Sequence, residues 1–148
     1  MAVVRDLALV DASVRHDATF RDAARELAGS GLSAIAVLDA DGSVQGVFTQ
    51  DAELRGLFPG YLGELRHTAF LGDDDEGLAE RARAVRDEPV RKHLTPAPVL
   101  EAEHSRTHAA ELFLHSGLAA LPVVSGGRYM GMLDQRTLCD VADDLLAR

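Results

Sequence analysis

The hydrophobic and polar positions of the chain follow the same order twice. In each copy a helix-spaced apolar segment ends at Ser-Gly and is followed by a short apolar strand, a polar turn with glycine, and a second strand. The Ala-Ala pair and the Ser-Gly-Leu stop stand at 23–24 and 30–32, and again 86 residues later at 109–110 and 116–118. The chain is therefore predicted to contain two related β-α-β-β-α repeats.

Capping residues indicate where the first helix of each repeat begins and ends. Thr19 and Ser105 precede the helix-spaced segments, and hydroxyls of this type accept hydrogen bonds from the first free amides of a helix. Gly31 and Gly117 stand where a residue in the left-handed conformation would end each helix. These four positions predict the bounds of two equivalent helices.

The strands that follow are predicted from continuous apolar runs at 35–38 and 121–124. Because neither run alternates with polar residues, both faces of each strand should be covered, as in a sheet packed against helices. A further helix is predicted after each copy, at about 50–58 and 135–147. The fold class expected is α+β.

Residues 59–89 are predicted to form a helical connector between repeat 1 at 1–58 and repeat 2 at 90–148. One or two amphipathic helices are favoured there by four apolar positions, which are Leu62, Leu65, Ala69 and Leu78. The aspartates at 73–75 are expected to form a solvated loop, since the segment lacks the glycine and distal glutamate of a calcium-binding loop.

Charge and composition narrow the class of function. A chain of 148 residues with 47% hydrophobic content can bury one core, and a net charge of -9 disfavours nucleic acid and anionic membrane surfaces as partners. No stretch reaches the roughly 18 to 20 apolar residues of a membrane span. Arg5, Asp6 and Asp11 occupy the region where a signal peptide is apolar. The sequence predicts a cytoplasmic protein.

Catalytic motifs are missing from the sequence. Gly-x-Ser-x-Gly, the Gly-Lys-Ser phosphate loop and Gly-x-Gly-x-x-Gly do not occur, so an enzyme is not expected. A metal-binding helix face is suggested by a spaced set of side chains, which are His104, His108, Glu111 and His115. Because Ser105 caps the helix and leaves His104 outside it, these histidines are instead expected to face solvent and no metal site is predicted.

In this order the segments resemble a cystathionine-β-synthase (CBS) domain pair, also called a Bateman module. The resemblance rests on the lead-in at 90–99, the Ala-Ala helices, the strand at 121–124 and the strands that contain Gly46 and Gly131, so that only the connector lies outside it. It implies two repeats related by a pseudo-twofold axis. It also implies two clefts between their sheets that hold adenosine ligands such as AMP, ADP, ATP or S-adenosylmethionine, and pairing of modules into a homodimer.

The resemblance also assigns phosphate and ribose contacts to a hydroxyl at the end of the last strand and a carboxylate three residues later. In repeat 1 Thr49 matches the hydroxyl, but Ala52 stands at the carboxylate position, between Asp51 and Glu53. A hydroxyl at a helix N-terminus favours an anion, so Thr49 and Asp51 are candidate ligand-binding residues.

In repeat 2 the order of these two groups is inverted. Asp134 stands at the hydroxyl position and Thr137 at the carboxylate position, and Asp134 would repel a phosphate. The alternative is that Thr49 and Asp134 are simply N-caps. Pro122 matches the family pattern, whereas its counterpart in repeat 1 is Ala36.

For an adenine ring, the resemblance implies a sandwich between apolar strand edges around Val14, Ile35, Val99 and Leu121. These residues are equally suited to a plain hydrophobic core.

The sequence and the resemblance leave two candidate functions. The first is a regulatory module that binds an adenosine nucleotide and passes its occupancy on to an unknown protein partner. The alternative is a dimerising interaction module that has lost nucleotide binding, since the ribose positions are altered. The apolar stripe of the last helix, which contains Leu138, Val141, Leu145 and Leu146, also favours a homodimer.

Overall fold

The computed structural model describes residues 2–58 and 75–148. Repeat 1 contains β1 (Ser13–Arg15), α1 (Phe20–Ser30), β2 (Ala34–Leu38), β3 (Val44–Thr49) and α2 (Gln50–Leu57). Repeat 2 contains β4 (Leu100–Glu101), α4 (Arg106–Ser116), β5 (Ala120–Ser125), β6 (Arg128–Asp134) and α5 (Gln135–Leu146), and α3 (Asp75–Val85) lies between the repeats. The tandem α+β arrangement predicted from the sequence is confirmed.

The predicted caps set the helix bounds. The Thr19 hydroxyl oxygen accepts a hydrogen bond from the amide of Asp22 at 3.1 Å, and Ser105 does the same for the amide of His108 at 3.1 Å. Gly31 and Gly117 end α1 and α4 with φ of 73° and 71°, a conformation that costs glycine little because it has no Cβ. Both repeats therefore turn from helix to strand in the same way.

Each repeat builds a three-stranded sheet of the same topology. In repeat 1, β1 pairs parallel with β2, and β2 pairs antiparallel with β3; β4, β5 and β6 repeat this order. The central strands β2 and β5 contact each other and join the two repeats. Their side chains are buried almost throughout, as the continuous apolar runs predict.

The lead-in segment of each repeat crosses to the other repeat's sheet. Thr95, which precedes β4, exchanges both backbone hydrogen bonds with Val47 of β3 at 2.9 and 3.0 Å. Val10, which precedes β1, exchanges two with Met132 of β6 at 2.9 and 2.7 Å. This exchange obeys the pseudo-twofold symmetry and makes the two repeats one unit.

The glycines of the outer strands allow this close approach. A Cβ on Gly46 would lie 2.8 Å from the carbonyl oxygen of Thr95, and a Cβ on Gly131 would lie 2.9 Å from the Cβ of Leu9. Both separations are shorter than van der Waals contact. Glycine is therefore required at Gly46 by the backbone that crosses it.

Helix α3 forms most of the described part of the connector, which is 75–89. It packs on α2, where the Arg81 Nε donates to the carbonyl oxygen of Leu57 at 2.7 Å. Leu78 lies in α3, whereas Leu62, Leu65 and Ala69 lie outside the described residues. Asp75 begins α3, so the expected loop at 73–75 is wrong at this position; the other two aspartates also lie outside the described residues.

No helix in the described ranges has the length and apolar content needed to cross a bilayer. The bounds of the repeats and the connector stay a prediction.

Candidate functional site

A cavity of about 650 Å³ lies between the two repeats. Its described walls are residues 33–34, 49–52 and Arg55 of repeat 1, and residues 92–96 and 117–119 of repeat 2. We call it the Thr49 cleft. Its volume is within the range of about 300 to 1,000 Å³ that is usual for small-molecule sites.

Thr49 stands at the point where β3 passes into α2. Its hydroxyl oxygen accepts a hydrogen bond from the amide of Ala52 at 3.0 Å, which caps the helix, and its exposed fraction is 7%. It is the one buried polar side chain among the described residues. A threonine hydroxyl carries one proton besides its acceptor lone pairs, so Thr49 can cap α2 and still donate to a ligand.

Charged side chains reach the Thr49 cleft from two segments. Asp51 and Arg55 are four residues apart on α2 and so lie on the same helix face, while Lys92 comes from the short 3-10 segment Val90–His93. No ion pair of Arg55 or Lys92 with a carboxylate occurs within 2–58 and 75–148. The described wall therefore carries two cations against one carboxylate.

His93 holds the Lys92 segment in place. Its Nε2 lies 2.8 Å from a carboxylate oxygen of Glu88, and its ring packs edge-on against Phe20 with the ring centres 4.9 Å apart. The His93 side chain is only 17% exposed. These contacts join the segment that carries Lys92 to Glu88 and to Phe20 of α1.

A second cavity of about 580 Å³ shares Ser33, Gln50 and Ala119 with the Thr49 cleft. Glu53 and Asp134 supply its charge, and no cation lies among its described lining residues. Burial raises the pKa of Glu53. An anion would meet only negative charge here, so the two cavities differ in the charge of ligand that they favour.

Asp134 caps α5, with a carboxylate oxygen that accepts from the Arg136 amide at 3.0 Å. The Arg136 guanidinium donates instead to Asp140 at 2.9 Å and Asp143 at 2.8 Å, and these carboxylates raise the pKa of Arg136. Thr49 and Asp134 are therefore both N-caps of the helices that follow them. Arg136 does not offset the negative charge of Asp134 toward a ligand.

The other candidate residues belong to strands or lie close to strand and helix ends. Ile35, Leu121 and Pro122 lie fully buried within β2 and β5, and Val14 packs against the repeat 1 core. Val99 and Thr137 are partly buried, and neither is among the described residues that line either cavity. None of these six side chains is among the described lining residues of either cavity. Of the predicted site residues, Thr49 and Asp51 line the Thr49 cleft, and Asp134 lines the second cavity.

Sequence reasoning missed the cations of the cleft. Arg55 lies in a predicted helix, and the sequence does not show which segments that helix faces. Lys92 could have been singled out because it is the only lysine in the chain. Nothing in the sequence marks 117–119 as part of a site. These residues line the cleft because the fold brings the end of α4 beside the end of β3.

The histidines at the start of α4 and along it were considered as metal ligands. His104 precedes the helix, as its cap predicts, and its ring lies edge-on to His108 with centres 4.2 Å apart. The Nδ1 of His104 accepts from the amide of Glu101 at 3.0 Å. No group of three or more potential metal ligands occurs in the described parts of the chain.

Comparison with known proteins connects this geometry to a family. The CBS domain family model matches residues 4–52 and 90–144. A search of curated proteins finds no match.

Solved structures share the fold over nearly the whole chain. A CBS domain-containing protein of unknown function from Kribbella flavida matches with a TM-score of 0.79 and 20% identity, covering 97% of this chain and 99% of that one. A second such protein, from Bacillus anthracis, matches with a TM-score of 0.73 and 22% identity, covering 97% and 94%. CBSX2, crystallised in complex with AMP, matches with a TM-score of 0.70 and 20% identity, covering 98% of both chains.

Proposed function

This chain belongs to the CBS domain family as a tandem pair, and we propose from that premise that it is a regulatory module which senses an adenosine nucleotide in the Thr49 cleft. AMP, ADP, ATP and S-adenosylmethionine are the ligands considered. The role proposed is regulatory and not catalytic.

The observation that carries the proposal is a cavity whose walls come from both repeats and include a buried hydroxyl and two cations. A ligand held by Thr49, Arg55 and Lys92 contacts both repeats at once. Binding would therefore favour the arrangement of the repeats that makes these contacts, and a partner protein could read that shift. The AMP complex of CBSX2 supports the choice of an adenosine ligand.

A ligand screen tests the proposal. A ligand that binds only the folded chain must stabilise it, by about 2.7 kcal/mol at a concentration one hundred times Kd. We expect at least one of the four adenosine ligands to raise the unfolding midpoint, and calorimetry to give about one site per chain. If none of the four changes the midpoint at millimolar concentration, the proposal is wrong.

A dimerising interaction module is the second candidate, and it is favoured by the apolar surface of repeat 2. Helices α4 and α5 pack on each other, yet Leu114, Leu145 and Leu146 are 78%, 61% and 83% exposed. Exposed apolar side chains such as these would be stabilised if another copy of the chain covered them. We expect sedimentation at micromolar concentration to give twice the chain mass of 15.8 kDa. A monomer at that concentration would exclude this candidate.

A cytoplasmic location is also proposed. It rests on the excess of acidic side chains and on the absence of a membrane-spanning run in the sequence. Cell fractionation with an antibody against the chain would test it, and recovery in the membrane pellet would contradict it.

A further inference from the structure

We infer that the Thr49 cleft selects its ligand by the number of phosphates, with Arg55 and Lys92 making it a site for a nucleoside di- or triphosphate rather than a monophosphate. The inference rests on the proposed function, because it concerns the ligand of the same cleft. It adds the class of nucleotide and the two residues that distinguish it.

The two cations reach the cleft from different repeats. Arg55 lies in the last turn of α2, and Lys92 lies in the segment before β4. That segment pairs with β3 through the backbone hydrogen bonds between Thr95 and Val47. Both residues line the same cavity, so its wall carries two positive charges. A ligand with several linked phosphates can contact both of them.

A single phosphate needs only one of the two cations. A phosphate monoester carries a charge of about -1.5 to -2 at neutral pH, and one cation together with the Thr49 hydroxyl can satisfy it. Each further phosphate adds negative charge and more acceptor oxygens. A longer phosphate chain therefore gives the second cation a partner, whereas a monophosphate leaves it in contact with water.

The remaining charge in the cleft does not cancel this preference. Asp51 is the only carboxylate among the described lining residues, and it makes no ion pair with Arg55 despite lying one turn away. The neighbouring cavity is acidic through Glu53 and Asp134, so it disfavours a polyphosphate. The phosphates are therefore expected to stay on the Arg55 and Lys92 side.

Calorimetry with AMP, ADP and ATP at constant ionic strength and without divalent cations tests the inference. We expect ATP to bind the parent chain about tenfold or more tightly than AMP, since an added phosphate gains charge-assisted hydrogen bonds. Arg55→Gln and Lys92→Gln should each weaken ATP binding about three- to tenfold and AMP binding less, the lower figure reflecting screening by solvent. Inorganic tripolyphosphate should compete with ATP.

Arg91→Gln is the matched control, because Arg91 is exposed beside Lys92 but does not line the cleft. This variant should bind ATP as the parent does. AMP binding as tightly as ATP, or equal losses for AMP and ATP in both variants, would overturn the inference and leave the proposed function in place. No binding of any adenosine ligand or of tripolyphosphate would overturn both.

Discussion

The hydroxyl oxygen of Tyr129 lies 2.9 Å from the carbonyl oxygen of Ala12 and 3.2 Å from its amide nitrogen. Tyr129 belongs to β6 of repeat 2, whereas Ala12 is a buried residue just before β1 of repeat 1. One phenol thus hydrogen-bonds both backbone groups of a residue in the other repeat. The equivalent position in repeat 1 is Val44, so this link is made only once.

Tyr129→Phe is expected to lower the free energy of unfolding by about 1 to 3 kcal/mol. The substitution keeps the ring but leaves the Ala12 amide without its side-chain partner in a buried place. Urea denaturation of parent and variant, with equal m-values, would measure the difference. An unchanged midpoint would mean that water replaces the hydroxyl without cost.

The same tyrosine predicts a loss of stability in alkali. Burial raises the pKa of Tyr129 from 10.0 to about 12, with the nearby charges of Asp11 and Glu26 adding to the effect. Between pH 10 and 12 the unfolded chain loses this proton while the folded chain keeps it, so stability falls as pH rises through this window. The stability difference between parent and Tyr129→Phe should shrink over the same interval. A difference that stays constant from pH 9 to 12 would contradict the assignment.

Gly46→Ala should lower the free energy of unfolding by about 1 to 3 kcal/mol, because the added methyl group would clash with the carbonyl oxygen of Thr95. Moving either backbone to relieve the clash would break the hydrogen bonds between Val47 and Thr95. Gly29→Ala is the matched control, since a Cβ there meets nothing within 4 Å and alanine favours the helix by about 0.5 to 1 kcal/mol. The midpoint of thermal unfolding should therefore fall in Gly46→Ala and rise in Gly29→Ala. A parallel shift of the two variants would remove the steric explanation.

Thr49→Ala should weaken nucleotide binding about tenfold to a hundredfold, as expected for the loss of a charge-assisted hydrogen bond of about 1.5 to 3 kcal/mol. It should also cost about 1 kcal/mol of stability through the lost cap on the Ala52 amide. Thr49→Ser retains the hydroxyl and serves as the control. Calorimetry would reveal an error in the site assignment if Thr49→Ala bound the nucleotide as tightly as the parent.

Asp134→Thr is expected to strengthen nucleotide binding at the second cavity. It removes the carboxylate that repels phosphate and introduces a hydroxyl that can cap α5 in its place. Glu53 remains, so adding Glu53→Gln should increase the effect further. The number of sites per chain, obtained by calorimetry, should rise from one toward two. Loss of all binding in Asp134→Ala would show that Asp134 holds the ligand instead.

The repeat, the order of its elements and most of their bounds could be predicted from the sequence. Thr19 and Ser105 as caps, Gly31 and Gly117 as stops, and the buried strands could be predicted because these signals act between residues that are close in the chain. The candidate site was predicted only in part. Thr49 could be proposed because it matches a motif within one strand end and one helix start, and Asp51 because it is the carboxylate two residues later.

The segments that meet around the Thr49 cleft could not be predicted, because they are far apart in the chain. Lys92 lies 43 residues beyond Thr49 in the chain and enters the same cavity because the lead-in of repeat 2 pairs with β3 of repeat 1. Ile35 and Leu121 have the same apolar character that a binding wall would need, yet the contact between β2 and β5 buries them completely. Hydrophobic patterning specifies that a side chain avoids water. Which surface covers it depends on long-range packing between the two repeats, and local sequence does not encode that choice.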